Sequence, residues 1–321
     1  MNAIAKPHKV HLIARHAEGT IWLARYMERI ENMARILDVT NTFARDADDT
    51  RNWLSIPRIN GDLTEFYKKH SEATQRTVGE FYLLDSDNYT SVQSFIAAAR
   101  ENARTLRALI PTEMWLQINV FHGRIRALTA ADIAPGHFTA VCAMLKDGAQ
   151  AHTGITEGTL YRDQAWHFYM IGRYLERADQ TTRLLDTRFH SLAPRSDAVD
   201  ADIDAGQWNA LLRAAAGYHA YRREHPTGYN AQEVASFLLA NTAFPRSVGL
   251  NLAQTEWHLT QLRTRYFLRM PAALERLDAL NGMMTHQNVA ELAGRKLSPF
   301  LDYVQREIGS LHQDIVGTFG G

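Results

Sequence analysis

Arg25-Tyr26-Met27-Glu28-Arg29 and Arg173-Tyr174-Leu175-Glu176-Arg177 are one five-residue phrase written twice, 148 positions apart (173 less 25). Around the first copy Leu23, Met27, Ile30, Ala34 and Leu37 recur every three or four positions, which is the spacing of a single apolar helix face. Arg25, Glu28, Asn32 and Arg35 fall on another side of the same helix, predicted over 20–43. The second copy sits in a periodic segment predicted to run from about Thr159 to His190 and to stop before Pro194. Agreement continues beyond the phrase, through Arg35/Arg183, Leu37/Leu185 and Asp38/Asp186.

Outward from these helices the chain keeps the same period. Helices are predicted over about 90–110, stopped by Pro111, and then to about Leu128 before Pro135-Gly136. Further helices follow near 138–152, 208–221, 231–239, 245–266 and 299–316, the last with Ser298 as its cap. The polar stretch 196–206 reads as a loop. A second repeated block, Phe81, Leu83, Ser91 and Val92 against Phe237, Leu239, Ser247 and Val248, lies in the same order at an offset of 156 (237 less 81). Two blocks in one order imply a duplicated unit. The expected fold is therefore all-α, a multi-helix array from two diverged copies of a helical-bundle unit. Repeat 1 covers about 16–128, repeat 2 about 157–268, and a C-terminal helical closure about 269–321.

Composition narrows the function classes. The 321 residues are 45% apolar and 22% charged, enough to bury a full core. Thirty-five basic and 35 acidic side chains cancel, so no overall field draws the chain to nucleic acid or to an anionic membrane. No run approaches about 18 uninterrupted apolar residues. The start Met1 to Pro7 shows no signal-peptide pattern, and Cys142 is the only cysteine, so a cytoplasmic location is expected. Fourteen histidines are scattered. His8, His11 and His16 lack carboxylate company, and no metal site is assigned.

The charged rows are the candidate chemistry. Arg25, Glu28, Asn32 and Arg35 form one row, and Arg173, Glu176, Gln180 and Arg183 repeat it. Three readings fit such a row: a solvated ladder of weak ion pairs, a buried device that fixes helix register, or glutamates bracing arginine forks for a planar anion. On the last reading Glu28 and Glu176 carry the chemistry, while Arg25, Arg29, Asn32, Arg173 and Arg177 hold substrate. Arg100, Glu101, Asn102, Arg104 and Arg107 make a further polar patch, whose counterparts Glu256, Trp257, His258, Thr260 and Arg263 keep only the last charge, so that patch implies one site rather than two. Gly154 to Thr159 reads as a turn opening the second long helix, where Thr156 is either a plain cap or, with Arg162, part of an anion site at a positive helix end.

Taken in order, the two Glu-Arg helices, Leu83 to Asn88, Ala99 to Arg104, Glu113-Met114-Trp115, Gly154 to Thr159 with Arg162, and Phe244-Pro245-Arg246-Ser247 resemble the alpha-E family of bacterial helical proteins. The resemblance covers most of the chain and implies one alpha-E-like domain over 1–321. Members are typically encoded beside an ATP-grasp protein and often a transglutaminase-like peptidase. That company implies a component of an ATP-dependent system that forms or modifies amide or peptide bonds on a carboxylate-bearing peptide or amino-acid substrate. ATP and Mg would be used by the partner, and no cofactor is assigned to this chain. Asn241-Thr242-Ala243 replaces the acidic block of Asp85 and Asp87 in the second copy. The competing expectation is a non-catalytic helical adaptor that docks the partner enzyme or peptide, marked by an exposed patch near Trp53, Trp115 or Trp208; a metal-dependent bundle enzyme is a third.

Overall fold

The computed structural model describes residues 12–43, 49–191, 200–284, 289, 292 and 296–318. Every regular element among them is helical, and no helix is long and apolar enough to cross a membrane. In chain order these are α1 (Ala14–Phe43), α2 (Asp49–Asn60), α3 (Leu63–Lys69) and α4 (Gln75–Gly79), which runs on as a π-helical turn, Glu80–Leu84. Next come α5 (Val92–Thr105), α6 (Thr112–Arg126), α7 (Phe138–Thr159) and α8 (Gln164–Ser191). The remainder are α9 (Asp200–Ala214), α10 (Tyr218–Glu224), α11 (Ala231–Ala240), α12 (Val248–Tyr266), α13 (Pro271–Met283) and α14 (Leu297–Gly317).

Side-chain caps set several starts. Ser91 Oγ accepts from Ser94 N–H ahead of α5, and Ser247 Oγ accepts from Leu250 N–H ahead of α12, so the two matched Ser-Val blocks begin helices in the same way. Asp163 Oδ1 accepts from Ala165 N–H ahead of α8. This last cap corrects the expected helix over 159–190. Residues 154–159 do not open a helix; they close α7, whose final residue is Thr159. Gly154 and Gly158 are both helical, and each faces open space. The expected loop over 196–206 is corrected as well, since α9 already begins at Asp200; residues 196–199 lie outside the described residues. Ser298 lies inside α14 rather than capping it, the helix starting at Leu297.

The two phrase-bearing helices are the centre of the structure. Leu12 N–H donates to Gln164 Oε1, Ile21 approaches Gly172, Arg25 meets Glu176, and Asn32 meets Gln180, so α1 and α8 run side by side in the same direction. Their closest approach is at Gly172, where an added Cβ would lie 2.3 Å from the carbonyl oxygen of Ile21. Each centre helix packs on two helices of its own half: α1 on α5 and α7, α8 on α12 and α14. The outer connections match too, α5 on α6 and α6 on α7, α12 on α13 and α13 on α14. Across the middle, α2 reaches α8 while α9 reaches α1. Buried apolar side chains run continuously through both halves, from Ile21 and Ile30 to Leu175, Leu259 and Leu311.

Candidate functional site

The two charged rows face each other. Glu176 Oε2 accepts from Arg25 Nε at 2.7 Å and its Oε1 from Arg29 Nε at 2.8 Å. Glu28 accepts from Arg173 Nε at 3.1 Å and from Arg177 Nε at 2.9 Å. Each glutamate thus lies between the two arginines of the other helix. The amides continue the row, Asn32 donating to Gln180 at 2.6 Å while Gln180 donates to Glu176 at 2.8 Å. Glu176 is fully buried and Glu28 only 5% exposed, so the reading of a solvated ladder does not describe these residues. A charge moved this far from water persists only when paired and hydrogen-bonded, and both carboxylates are.

Three side chains that the rows alone did not single out complete the network. Arg246, from the loop before α12, reaches Glu31 at 2.9 Å and Glu28 at 3.7 Å. Glu31 also receives Arg35 at 2.6 Å, and Asp179 receives Arg183 at 2.8 Å. Glu31 and Asp179 stand 148 positions apart, the offset of the phrase itself, and that was the signal available for them. Burial alone pushes the Glu176 carboxyl up, yet the guanidinium groups of Arg29 and Arg25 overcome it and hold the group at about 2. The same opposition, with Arg246 and Arg35 as the cations, holds Glu31 at about 2. Both remain carboxylates at any physiological pH.

Beside the network lies a cavity of about 130 Å³ walled by Arg29, Arg183, Asn32, Gln180, Asn60 and Thr90, with Asp179 the acidic group in its lining. It has room for a few waters or one carboxylate-sized group, since a water takes about 30 Å³ and a whole ligand needs about 300 Å³ or more.

The remaining expected site residues sit elsewhere. Arg100 donates to Asn119 on α6 at 2.8 Å, and Arg104 pairs with Glu101 on the exposed face of α5, with Asn102 half-buried beside them. Their bonds stay within α5 and α6. The anion site expected at Thr156 and Arg162 is corrected, because Thr156 lies in the last turn of α7, where carbonyl groups make a negative pole, and Arg162 precedes α8, whose first amides are already capped by Asp163. Thr156 is buried within 3.5 Å of His152 Nε2, and Arg162 lies over the Trp166 ring and donates to the carbonyl of Glu157. Of the tryptophans expected to mark a docking patch, Trp53 and Trp208 are buried and Trp115 is half-buried against Arg100 and Arg107. His8 and His11 lie outside the described residues, and among the described ones no three His, Cys, Asp or Glu side chains are grouped to hold a metal. Cys142 is buried in the core.

Against known proteins, the sequence profile named Alpha-E, described as a predicted alpha-helical domain with a conserved ER motif, matches residues 12–319. No curated protein and no solved structure matches the chain.

Proposed function

Because this chain belongs to the Alpha-E family, and because its two Glu-Arg helices meet face to face, we propose that it serves an ATP-dependent system that forms or modifies amide or peptide bonds. It works with an ATP-grasp partner on a carboxylate-bearing peptide or amino acid, the partner using ATP and Mg to activate the carboxylate. The observation that carries this reading is the small cavity beside the network, walled by Arg29 and Arg183 with three side-chain amides and one carboxylate. Its wall fits the carboxylate end of a substrate, for which a planar guanidinium offers paired donors. Arg25, Arg173 and Arg177 belong to the adjoining ion-pair network. Glu28 and Glu176 act as positioning groups, because their oxygens are already bonded to guanidinium donors and Glu176 takes up no proton near neutrality. A two-copy ancestry of the chain accords with the matched packing order of the halves.

The adaptor reading has one observation in its favour. Leu116 and Val120, four residues apart on α6, are 56% and 57% exposed and present an apolar strip to solvent.

The test combines the purified chain with a co-encoded ATP-grasp protein, ATP, Mg and candidate peptides or amino acids, following product mass. A product that needs this chain and falls at least tenfold with Arg183→Ala, in a protein whose circular dichroism is unchanged, is the expected result. Product formed equally without the chain would sink the proposal, and product lost only with Leu116→Asp/Val120→Asp would transfer it to the adaptor reading.

A further inference from the structure

A second cleft, of about 290 Å³, opens between α8 and α12 and takes no part in the carboxylate cavity. Its floor is a histidine pair. His167 and His258 are 2% and 3% exposed, and their Nδ1 atoms lie 2.9 Å apart, one donating and the other accepting. Nε2 of His167 is shielded from solvent and has no hydrogen-bond partner among the described residues. A buried ring nitrogen left in this condition is uncommon in a purely structural core.

The walls are aromatic. The ring of Trp257 lies 6.0 Å from His167 and edge-on to His258 at 4.8 Å, while Tyr174 lies 5.7 Å from His258. Trp257 is nonetheless 50% exposed, with Tyr161 and Phe267 nearby in sequence to the cleft's lining residues at 77% and 68%. Of these only Trp257 lines the cleft, and a large aromatic face left to water beside a concave polar floor suits a ring-binding site. The rim is charged. Glu157 is already taken by Arg173 at 2.7 Å, whereas Arg265 has no ion pair among the described residues, and Arg162 reaches Glu157 only at 3.8 Å. A positive rim above aromatic walls selects an anion tied to a ring.

We propose that this cleft binds a planar aromatic group carrying an anionic tail, with the ring against Trp257 and Tyr174 above the His167–His258 pair, and the anion at Arg162 and Arg265. The volume admits one ring system and its tail rather than an extended peptide, being at the lower end of the range of about 300–1,000 Å³ for ligand pockets. An aromatic amino-acid carboxylate and a purine nucleotide share this chemistry. The inference stands apart from the reading of the carboxylate cavity, and needs no partner protein.

The test is calorimetric titration of the whole chain with N-acetyl-tyrosine, N-acetyl-alanine and adenosine monophosphate, together with histidine nitrogen spectra. At least one of the aromatic anions should saturate the site about tenfold or more tighter than N-acetyl-alanine, and Trp257→Ala should weaken it about tenfold, as loss of one stacking surface does. Arg265→Ala should weaken the anion but leave N-acetyl-tyrosine amide unchanged, and bound ligand should shift the His167 ring nitrogens. Tyrosine alone binding identifies the carboxylate source, and nucleotide alone the phosphate source. No saturation by either at millimolar concentration, or an affinity indifferent to Trp257→Ala in a protein with unchanged circular dichroism, overturns the proposal.

Discussion

Tyr26 and Tyr174 hold the same place in the same five-residue phrase and both are half-buried, yet one stacks among aromatic rings and the other borders a cleft. On the α1 side Trp22 stacks on Tyr26 at 5.4 Å, Phe95 follows at 6.0 Å, and His312 from α14 closes edge-on against Trp22. Arg25 lies over the Trp22 ring at 4.7 Å, so the cation is roofed as well as paired. On the α8 side Tyr174 meets His258, and Glu157 ties Arg173 to the surface. The phrase fixes how the two helices grip each other. What lies over that grip differs, Trp22 and His312 beside Tyr26, Trp257 and His258 beside Tyr174.

The largest expected effect would sharpen this contrast. Glu176→Gln leaves Arg25 and Arg29 without a carboxylate in a fully buried place and should cost about 3–5 kcal/mol in urea unfolding. Glu28→Gln should cost clearly less, because Arg173 keeps Glu157 and Arg246 keeps Glu31. Equal losses would break the claim that the arginines around Glu28 are tied to further carboxylates. Next comes the contact line itself: Gly172→Ala drives a methyl into the Ile21 carbonyl and should cost about 1–3 kcal/mol, whereas Gly19→Ala, whose new methyl meets only Leu106 at 3.9 Å, should be neutral or stabilising in the same thermal melts.

Acid should act on both flanks. Burial holds His152 and His258 near 3 and His167 and His312 near 4, below the usual 6.5. Below pH 6.5 the unfolded chain binds protons that the folded one refuses, so stability falls with pH by up to about 1.4 kcal/mol per unit for each such histidine. Glu31 and Glu176, held near 2 against 4.5 unfolded, extend the loss from about pH 4.5 toward 2. A stability curve flat between pH 6.5 and 5 would contradict the buried neutral histidines. Smallest of all, Arg104→Ala on the outer face of α5 should leave the melting temperature where it was.

Much of this was legible in the sequence. The apolar period gave α1 and α5 with their faces, and the doubled phrase marked the helices that become the centre. What periodicity does not carry is which face meets which, so the exchange of arginines between Glu28 and Glu176 was not visible in either row alone. The glycines near 154 misled for a local reason: in open space a glycine costs a helix about 1 kcal/mol and need not end it, while the true start signal, Asp163 before Ala165 and Trp166, lay a few residues further on. The alignment of Arg100, Glu101 and Asn102 with Glu256, Trp257 and His258 did carry the asymmetry. Charge drew attention to the first trio, which the structure leaves on a surface, while Trp257 and His258 of the second line a cleft.

The side-by-side course of α1 and α8 also sets an order of events during synthesis. A ribosome delivers α1 long before α8, and the residues that answer Arg25 and Glu28 follow about a hundred and fifty positions later. Until they arrive, Arg25, Glu28 and Arg29 on the helix that will become the centre lack their partners, and a charged face of this kind discourages premature collapse and pairing with other chains. The last half to leave the ribosome therefore closes the first, and a chain truncated before residue 164 should stay open and protease-sensitive rather than settle as a smaller bundle.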